Sequence, residues 1–152
     1  MRIQIDRSYR PLEIEVGEEG EEGHVVVDAR IDLRDSTISR TSALMVASRD
    51  DVNRIFDEDK QLDAADEAGR KRLSCELAKV LRDPICAAIG TESYEDILMA
   101  LGDGDYPLAA EDANILMTQV FAEVMRVVVE HTGKLKQSKA VHYLADVAAD
   151  AR

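Results

Sequence analysis

Four carboxylates fall within one short, glycine-containing stretch of the chain, ALGDGDYPLAAED at residues 100–112: Asp103, Asp105, Glu111 and Asp112. Ca²⁺ is bound in proteins by oxygen ligands, among them carboxylates, so this stretch could form a calcium-binding loop. An EF-hand loop beginning at Asp103 would need an oxygen ligand at its fifth position, Gly at the sixth and Glu at the twelfth. Those positions hold Pro107, Leu108 and Asn114. The spacing therefore does not fit a calcium loop.

The same stretch is better explained as a turn between two helices. Gly102 and Gly104 permit a tight bend, and Pro107 is suited to the start of the next helix. Asp103 and Asp105 can hydrogen-bond the nearby backbone, as Asp does in many turns. We therefore assign these two carboxylates no chemistry.

Zinc or nucleophilic chemistry would need the remaining candidates, which are two cysteines and three histidines: Cys75, Cys86, His24, His131 and His142. None of them shows a CxxC, HxxxH or HExxH spacing. Folding could still bring a cysteine to a histidine, but the chain has no nucleophile elbow and no glycine-rich phosphate loop. Two cysteines also do not make a disulfide framework. We predict no catalytic, cofactor-binding or metal-binding residues, and an enzyme using Cys75 or Cys86 is the last-ranked alternative.

The charge of the chain excludes some partners. Thirty-one acidic residues against 19 basic ones give a net charge of −12, which repels nucleic acid and anionic membranes. The basic clusters, residues 70–72 and Lys134, Lys136 and Lys139, stand beside carboxylates without interleaved aromatic residues. The glutamate-rich run at residues 18–22 is either a solvated loop or a decoy surface for a basic partner. No apolar leader or run of about 20 apolar residues is present, so we expect a cytoplasmic protein without a membrane partner.

Any functional site must be positioned by secondary-structure elements, and the first of these along the chain are predicted to be strands. Apolar and polar residues alternate at Ile3 and Ile5, again over residues 12–16, and again over residues 25–33. A period of two indicates strands with one buried face. Three glycines within residues 17–23 predict a turn or hairpin tip. We therefore predict a three-stranded antiparallel meander in a β-rich part at residues 1–35.

The rest of the chain, residues 36–152, has a helical pattern. Residues 36–57 are ambiguous: residues 42–47 could be a strand end or a short helix, and a clearer helical stretch begins at Asp50 and Asp51. A helix is predicted from about residue 61 to 81, weakened by Gly69 in its middle by about 1 kcal/mol, and ended at Asp83 because Pro84 follows. Residues 85–90 then form one short turn that Gly90 closes.

Two further helices and a terminal one complete the pattern. Thr91 or Ser93 is the expected N-cap of a helix that stops at Gly102. A central core helix runs from about residue 112 to Gly133, because apolar residues cover most of its sides. A last helix is expected at about residues 134–149. The prediction is one α+β domain, residues 1–152, in which about three strands pack on four or five helices.

Residues 88–128, AIGTESYEDILMALGDGDYPLAAEDANILMTQVFAEVMRVV, resemble a stretch of phage tail assembly chaperones and related prophage proteins. Those chains share a helix start with Gly and Tyr, here Gly90 and Tyr94. They also share a helix end of the form Ile/Leu-x-x-x-Gly-Asp, a short loop and a long apolar helix, here Ile97 to Asp103 and the helix from Asp112. The resemblance covers about a quarter of the chain, and the glutamate-rich tip departs from it.

The resemblance implies a non-enzymatic role. A tail assembly chaperone coats the hydrophobic tape measure protein while tail tube subunits polymerise around it, and is then released. The partners implied are the tape measure protein, the tail tube protein and further copies of the chain, in the bacterial host cytoplasm, with no small-molecule substrate. An acidic protein with a helical, methionine-containing body is suited to hold an apolar helical client in a groove. The alternative is a structural or adaptor protein of a phage head–tail or tail particle.

Overall fold

A two-stranded antiparallel hairpin forms the N-terminal part of the computed structural model, which describes residues 1–3 and 8–133. Strand β1 spans Tyr9–Val16 and strand β2 spans Val25–Asp32, in a register that runs from Tyr9 opposite Asp32 to Val16 opposite Val25. The buried positions follow the predicted period of two: Ile14, Val27, Ala29 and Ile31. The alternation therefore identified both strands and the face that packs inward.

The hairpin tip is a glycine turn, as predicted. Gly17, Gly20 and Gly23 have φ angles of 81°, 89° and 86°, in the left-handed region that favours glycine. The third strand predicted around Ile3 and Ile5 is not seen among the described residues. Residues 1–3 are not in a strand, and residues 4–7 lie outside the described part.

Helix α1 spans Asp35–Gln61 and resolves the ambiguous region as one long helix. Its buried residues recur at spacings of three, four and seven: Ile38, Thr41, Met45, Ser48 and Ile55. This is the spacing of a continuous helical face. The polar residues Thr41 and Ser48 interrupt the apolar pattern on that face, which is why the sequence alone left the region undecided.

Helix α2 spans Glu67–Ile89 and packs along α1. The predicted helix at residues 61–81 had the wrong boundaries, because residues 62–66 form the connection between α1 and α2. Gly69 therefore lies in the first turn rather than the middle. Its backbone N–H donates to the side chain of the N-cap residue Asp66 at 2.8 Å.

The predicted stop at Asp83–Pro84 was wrong, because Pro84 is buried inside α2. Proline removes one helical hydrogen bond, but Leu81 and Ile85 on either side are almost fully buried, at 1% and 0% exposure. Burial of each such side chain stabilises by about 2 kcal/mol, so packing holds the helix past the proline. Residues 85–89 continue α2, and Gly90 ends it with a φ of 91°.

Helix α3 spans Thr91–Leu101 and helix α4 is described over Asn114–Gly133. Gly90, not Thr91 or Ser93, is the N-cap of α3, without a side-chain cap, so both predicted caps were wrong. Gly102 ends α3 as predicted. Pro107 does not start α4, since the helix begins at Asn114 after a turn that includes Ala109–Ala113 hydrogen bonds.

The inner face of the hairpin packs against α2 and α3, and α4 packs on α2. The prediction that α4 is a central core helix is confirmed, since several of its side chains are below 2% exposure: Met117, Val124, Met125, Val127 and Val128. An ion pair also joins the first strand to this helix, with both terminal nitrogens of Arg10 on the Glu130 carboxylate at 3.1 and 3.3 Å. The protein is α+β, with a hairpin and four helices in the described part, and the predicted last helix at residues 134–149 lies outside that part.

Candidate functional site

An open groove of about 760 Å³ lies between β2 and the C-terminal end of α3. One wall is the consecutive run of β2 residues 25–28, which starts just after the hairpin tip. The other wall is formed by α3, through Met99 and Ala100, and by the turn that follows it. The groove therefore joins a strand and a helix that are about 70 positions apart in the chain.

Gly102 brings the turn close against the end of α3. A Cβ atom at this position would overlap the Tyr106 backbone oxygen, a clash that only glycine avoids. The backbone N–H of Leu108 donates to the Leu98 carbonyl at 2.9 Å, which satisfies a carbonyl at the helix C-terminus. The carboxylate-rich stretch is thus a folded turn, and residues 102–104 at its start form part of one wall of the groove.

The groove has an apolar floor. Val25 and Val26 both line the groove and keep 39% and 42% of their surface exposed. Successive side chains of a strand point to opposite faces, so Val25 lies on the face that packs against α3 and Val26 lies on the opposite, polar face. Met99 and Ala100 are half-buried beside them. Together they leave apolar surface open to a ligand.

The rim of the groove is acidic. Its charged lining residues are four carboxylates, with no lysine or arginine among them: Glu22, Asp28, Asp96 and Asp103. Of the four carboxylates singled out in the sequence, only Asp103 reaches this groove; Asp105, Glu111 and Asp112 do not line it. An acidic rim attracts cationic groups, and the apolar floor favours apolar ones. A ligand that carries both kinds of group therefore fits the groove best.

A second, basic surface lies near the N-terminus of α3, where two adjoining cavities of about 520 Å³ each share Arg40. Arg34 is held there by Asp32, with Nη2 to Oδ2 at 2.6 Å, and Arg30 lies 4.5 Å above the ring of Tyr9. These contacts occupy two of the arginines that line the surface. The hydrogen bonds from Arg34 lower the pKa of Asp32 from 3.8 to about 2.

The cysteines and histidines do not form a reactive pair among the described residues. Burial raises the pKa of the Cys86 thiol, and hydrogen bonds with Arg82 and Thr91 oppose that change only in part. A raised pKa means less thiolate, which is the opposite of an activated nucleophile. His24 is engaged elsewhere, with its Nε2 atom 2.8 Å from the Glu15 carboxylate near the hairpin tip.

Cys75 is a free thiol on α2, and His131 lies in the last described turn of α4. His142 is outside the described residues. Within residues 1–3 and 8–133, no three His, Cys, Asp or Glu side chains are grouped closely enough to hold a metal ion. No helix in that same part is long and apolar enough to cross a membrane.

Sequence reasoning missed the groove, although one signal for it was present. Val26 stands on the polar face of β2, between His24 and Asp28, where the alternation calls for a polar residue. An apolar side chain on a solvent-facing position marks a contact surface when other apolar groups lie beside it.

Comparison of the chain with protein-family models, curated proteins and solved structures finds no match.

Proposed function

We propose that this protein is a non-enzymatic phage tail assembly chaperone, which binds the tape measure protein and helps the tail tube to polymerise in the bacterial host cytoplasm. The observation that carries the proposal is the amphipathic groove between β2 and α3. An exposed apolar floor inside an acidic rim is suited to hold a polypeptide segment rather than a small polar substrate.

The segment with the family resemblance supports this assignment. Residues 88–128 contain all of α3 and the turn after it, and these two elements build one wall of the groove. The resemblance and the groove therefore fall on the same part of the fold.

The charge of the chain supports the same role. A net charge of −12 keeps a complex soluble while apolar client surface is covered. Several copies along one long client would multiply weak contacts by avidity, which is why we propose a homo-oligomer or a multiply bound chain.

The test is co-expression with the tape measure protein encoded nearest to this gene. We expect the tape measure protein to be soluble with the chain present and to precipitate without it. Met99→Glu places a charge on the groove floor and should abolish the effect, because burying that carboxylate against an apolar client is costly. Ile115→Glu is the matched control, since Ile115 is 81% exposed on α4 and does not line the groove.

Two results would contradict the proposal. One is a tape measure protein that precipitates equally with and without the chain. The other is detection of the chain by mass spectrometry as a stoichiometric part of finished, purified particles, which would favour the alternative of a structural or adaptor protein.

A further inference from the structure

The backbone hydrogen bonds of the hairpin define which groups face its two outer edges. The Leu33 N–H donates to the Ser8 carbonyl at 2.8 Å, and these residues are opposite each other when the strand register is extended by one pair. Opposite residues in an antiparallel pair alternate between bonded and non-bonded. The bonded pairs are therefore Arg10 with Ile31 and every second pair after it. The residues between them direct their N–H and C=O groups outward.

The outer edge of β1 is interrupted at one position. Pro11 is opposite Arg30, which is one of the outward positions. Proline has no N–H to offer to an added strand, and this is the position at which a strand tolerates it. The edge of β1 thus carries a natural defence against pairing.

The outer edge of β2 has no such block where it borders the groove. Val26 and Asp28 are the outward residues there, and each offers one N–H and one C=O. Within the described residues the sheet has only two strands, and no backbone bond to these two residues comes from outside the hairpin. An extended segment lying in the groove would meet these groups.

The acidic rim selects the kind of segment. Carboxylates of Glu22 and Asp28 flank the strand edge, and those of Asp96 and Asp103 lie on the opposite wall. A second copy of β2 would bring its own Asp28 towards these carboxylates, a like-charge contact that disfavours pairing between copies. A segment in which lysine or arginine alternates with apolar residues matches both the rim and the floor.

We propose that the edge of β2 docks an extended, basic segment of the partner protein, which adds to the hairpin as a third strand. This inference rests on the proposed function and deepens it. The client is gripped through its backbone, by strand addition, instead of as a helix in a groove. Backbone pairing supplies the affinity, and the rim supplies the preference for cationic side chains.

The test uses the full chain and a fluorescent peptide of alternating valine and lysine, eight residues long like β2, followed by anisotropy. Two control peptides carry N-methyl groups on one or the other alternate set of backbone nitrogens, and a third has glutamate in place of lysine. We expect the Val–Lys peptide to bind, with an affinity that falls as the salt concentration rises. One of the N-methylated peptides should bind about tenfold more weakly, and the glutamate peptide should not bind.

Matched variants test whether the peptide binds at the edge of β2. Val26→Pro removes one outward N–H, as Pro11 does on the other strand, and should weaken binding about tenfold. Val26→Thr keeps the N–H and loses only part of the apolar contact, so it should weaken binding much less than Val26→Pro. If circular dichroism shows that Val26→Pro does not fold, Asp28→Asn with Asp96→Asn replaces it. That pair should weaken binding at least about threefold, whereas Asp57→Asn on the exposed surface of α1 should not.

Several outcomes would overturn the inference: no binding of the Val–Lys peptide, equal binding of all methylated peptides, or wild-type binding by the edge variants. A dimer in light scattering that Val26→Pro dissociates would also overturn it, because the occupant would then be a second copy. Failure here is distinct from failure of the proposed function. A tape measure protein kept soluble by Val26→Pro would leave the chaperone role standing, whereas peptide binding without any effect on the tape measure protein would leave only the docking site.

Discussion

Asp32 organises the junction between the hairpin and α1. Its carboxylate accepts hydrogen bonds from the Arg34 backbone at 2.9 Å, from the Arg34 guanidinium, and from the Thr37 hydroxyl at 2.8 Å. These donors favour the ionised form, and they hold the pKa of Asp32 at about 2 instead of 3.8. The folded state therefore binds the proton more weakly than the unfolded chain does.

This pKa shift predicts a pH-dependent effect of Asp32→Asn. The stabilisation from the carboxylate is present above the unfolded pKa of about 4 and is lost as the pH falls towards the folded pKa of about 2. Because the site is partly open to water, we expect the variant to lower the free energy of unfolding by about 1 kcal/mol at pH 7. Urea denaturation across the pH range should show this difference shrinking between pH 4 and pH 2. A difference independent of pH would contradict the explanation, and Asp57→Asn serves as a control with little effect.

At the scale of elements, the α1–α2 pair contains an uncompensated polar group. Thr41 is 1% exposed on the buried face of α1, and its hydroxyl oxygen has no hydrogen-bond partner among the described residues. Ser48, about two helical turns further on, donates to the Met45 carbonyl at 3.0 Å. The two buried hydroxyls thus differ in whether they are satisfied.

We expect Thr41→Val to raise the free energy of unfolding by about 1 kcal/mol, because it keeps the side-chain shape and removes the cost of burying an unpaired hydroxyl. Thermal unfolding followed by circular dichroism measures the change. Ser48→Ala is the matched comparison and should not stabilise, since it removes a satisfied hydrogen bond. Destabilisation by Thr41→Val would show that its hydroxyl has a partner.

Element boundaries were harder to predict than element types. The strands followed from alternation, and Gly90 and Gly102 were identified as helix ends. The start of α2 was missed although its signal is local, since the Asp66 side chain caps the Gly69 N–H. The continuation through Pro84 was missed because it depends on packing that outweighs the local preference. The N-cap of α3 was missed for a related reason: Gly90 joins α2 directly to α3, so the side chains of Thr91 and Ser93 are already inside the helix.

At the scale of the whole molecule, residues from β1, β2 and each of the helices α1 to α4 share one buried hydrophobic cluster. Ile31 lies at the contact of the hairpin with the helices and is 1% exposed. We expect Ile31→Ala to lower the free energy of unfolding by about 3 kcal/mol. Hydrogen exchange of β2 and of α4 should lose protection together, as the prediction of a single domain requires.

Val25→Ala is the control for that experiment, because Val25 is 39% exposed and its truncation leaves little cavity. A hairpin that loses protection while α4 keeps it would show that the β-rich and helical parts unfold separately.

The sequence by itself determined the local chemistry of the chain: the strand faces, the glycine stops, the acidic charge and the absence of recognisable catalytic or metal-ligand spacing. These depend on neighbours a few positions apart, which a linear pattern records. The tertiary structure alone decided that Pro84 stays within a helix, that Asp103 joins Asp28 at one groove, and that this groove borders the edge of β2, which has no further strand paired to it among the described residues. Each of these depends on residues distant in the chain, because burial and strand pairing are set by which surfaces meet when the chain folds.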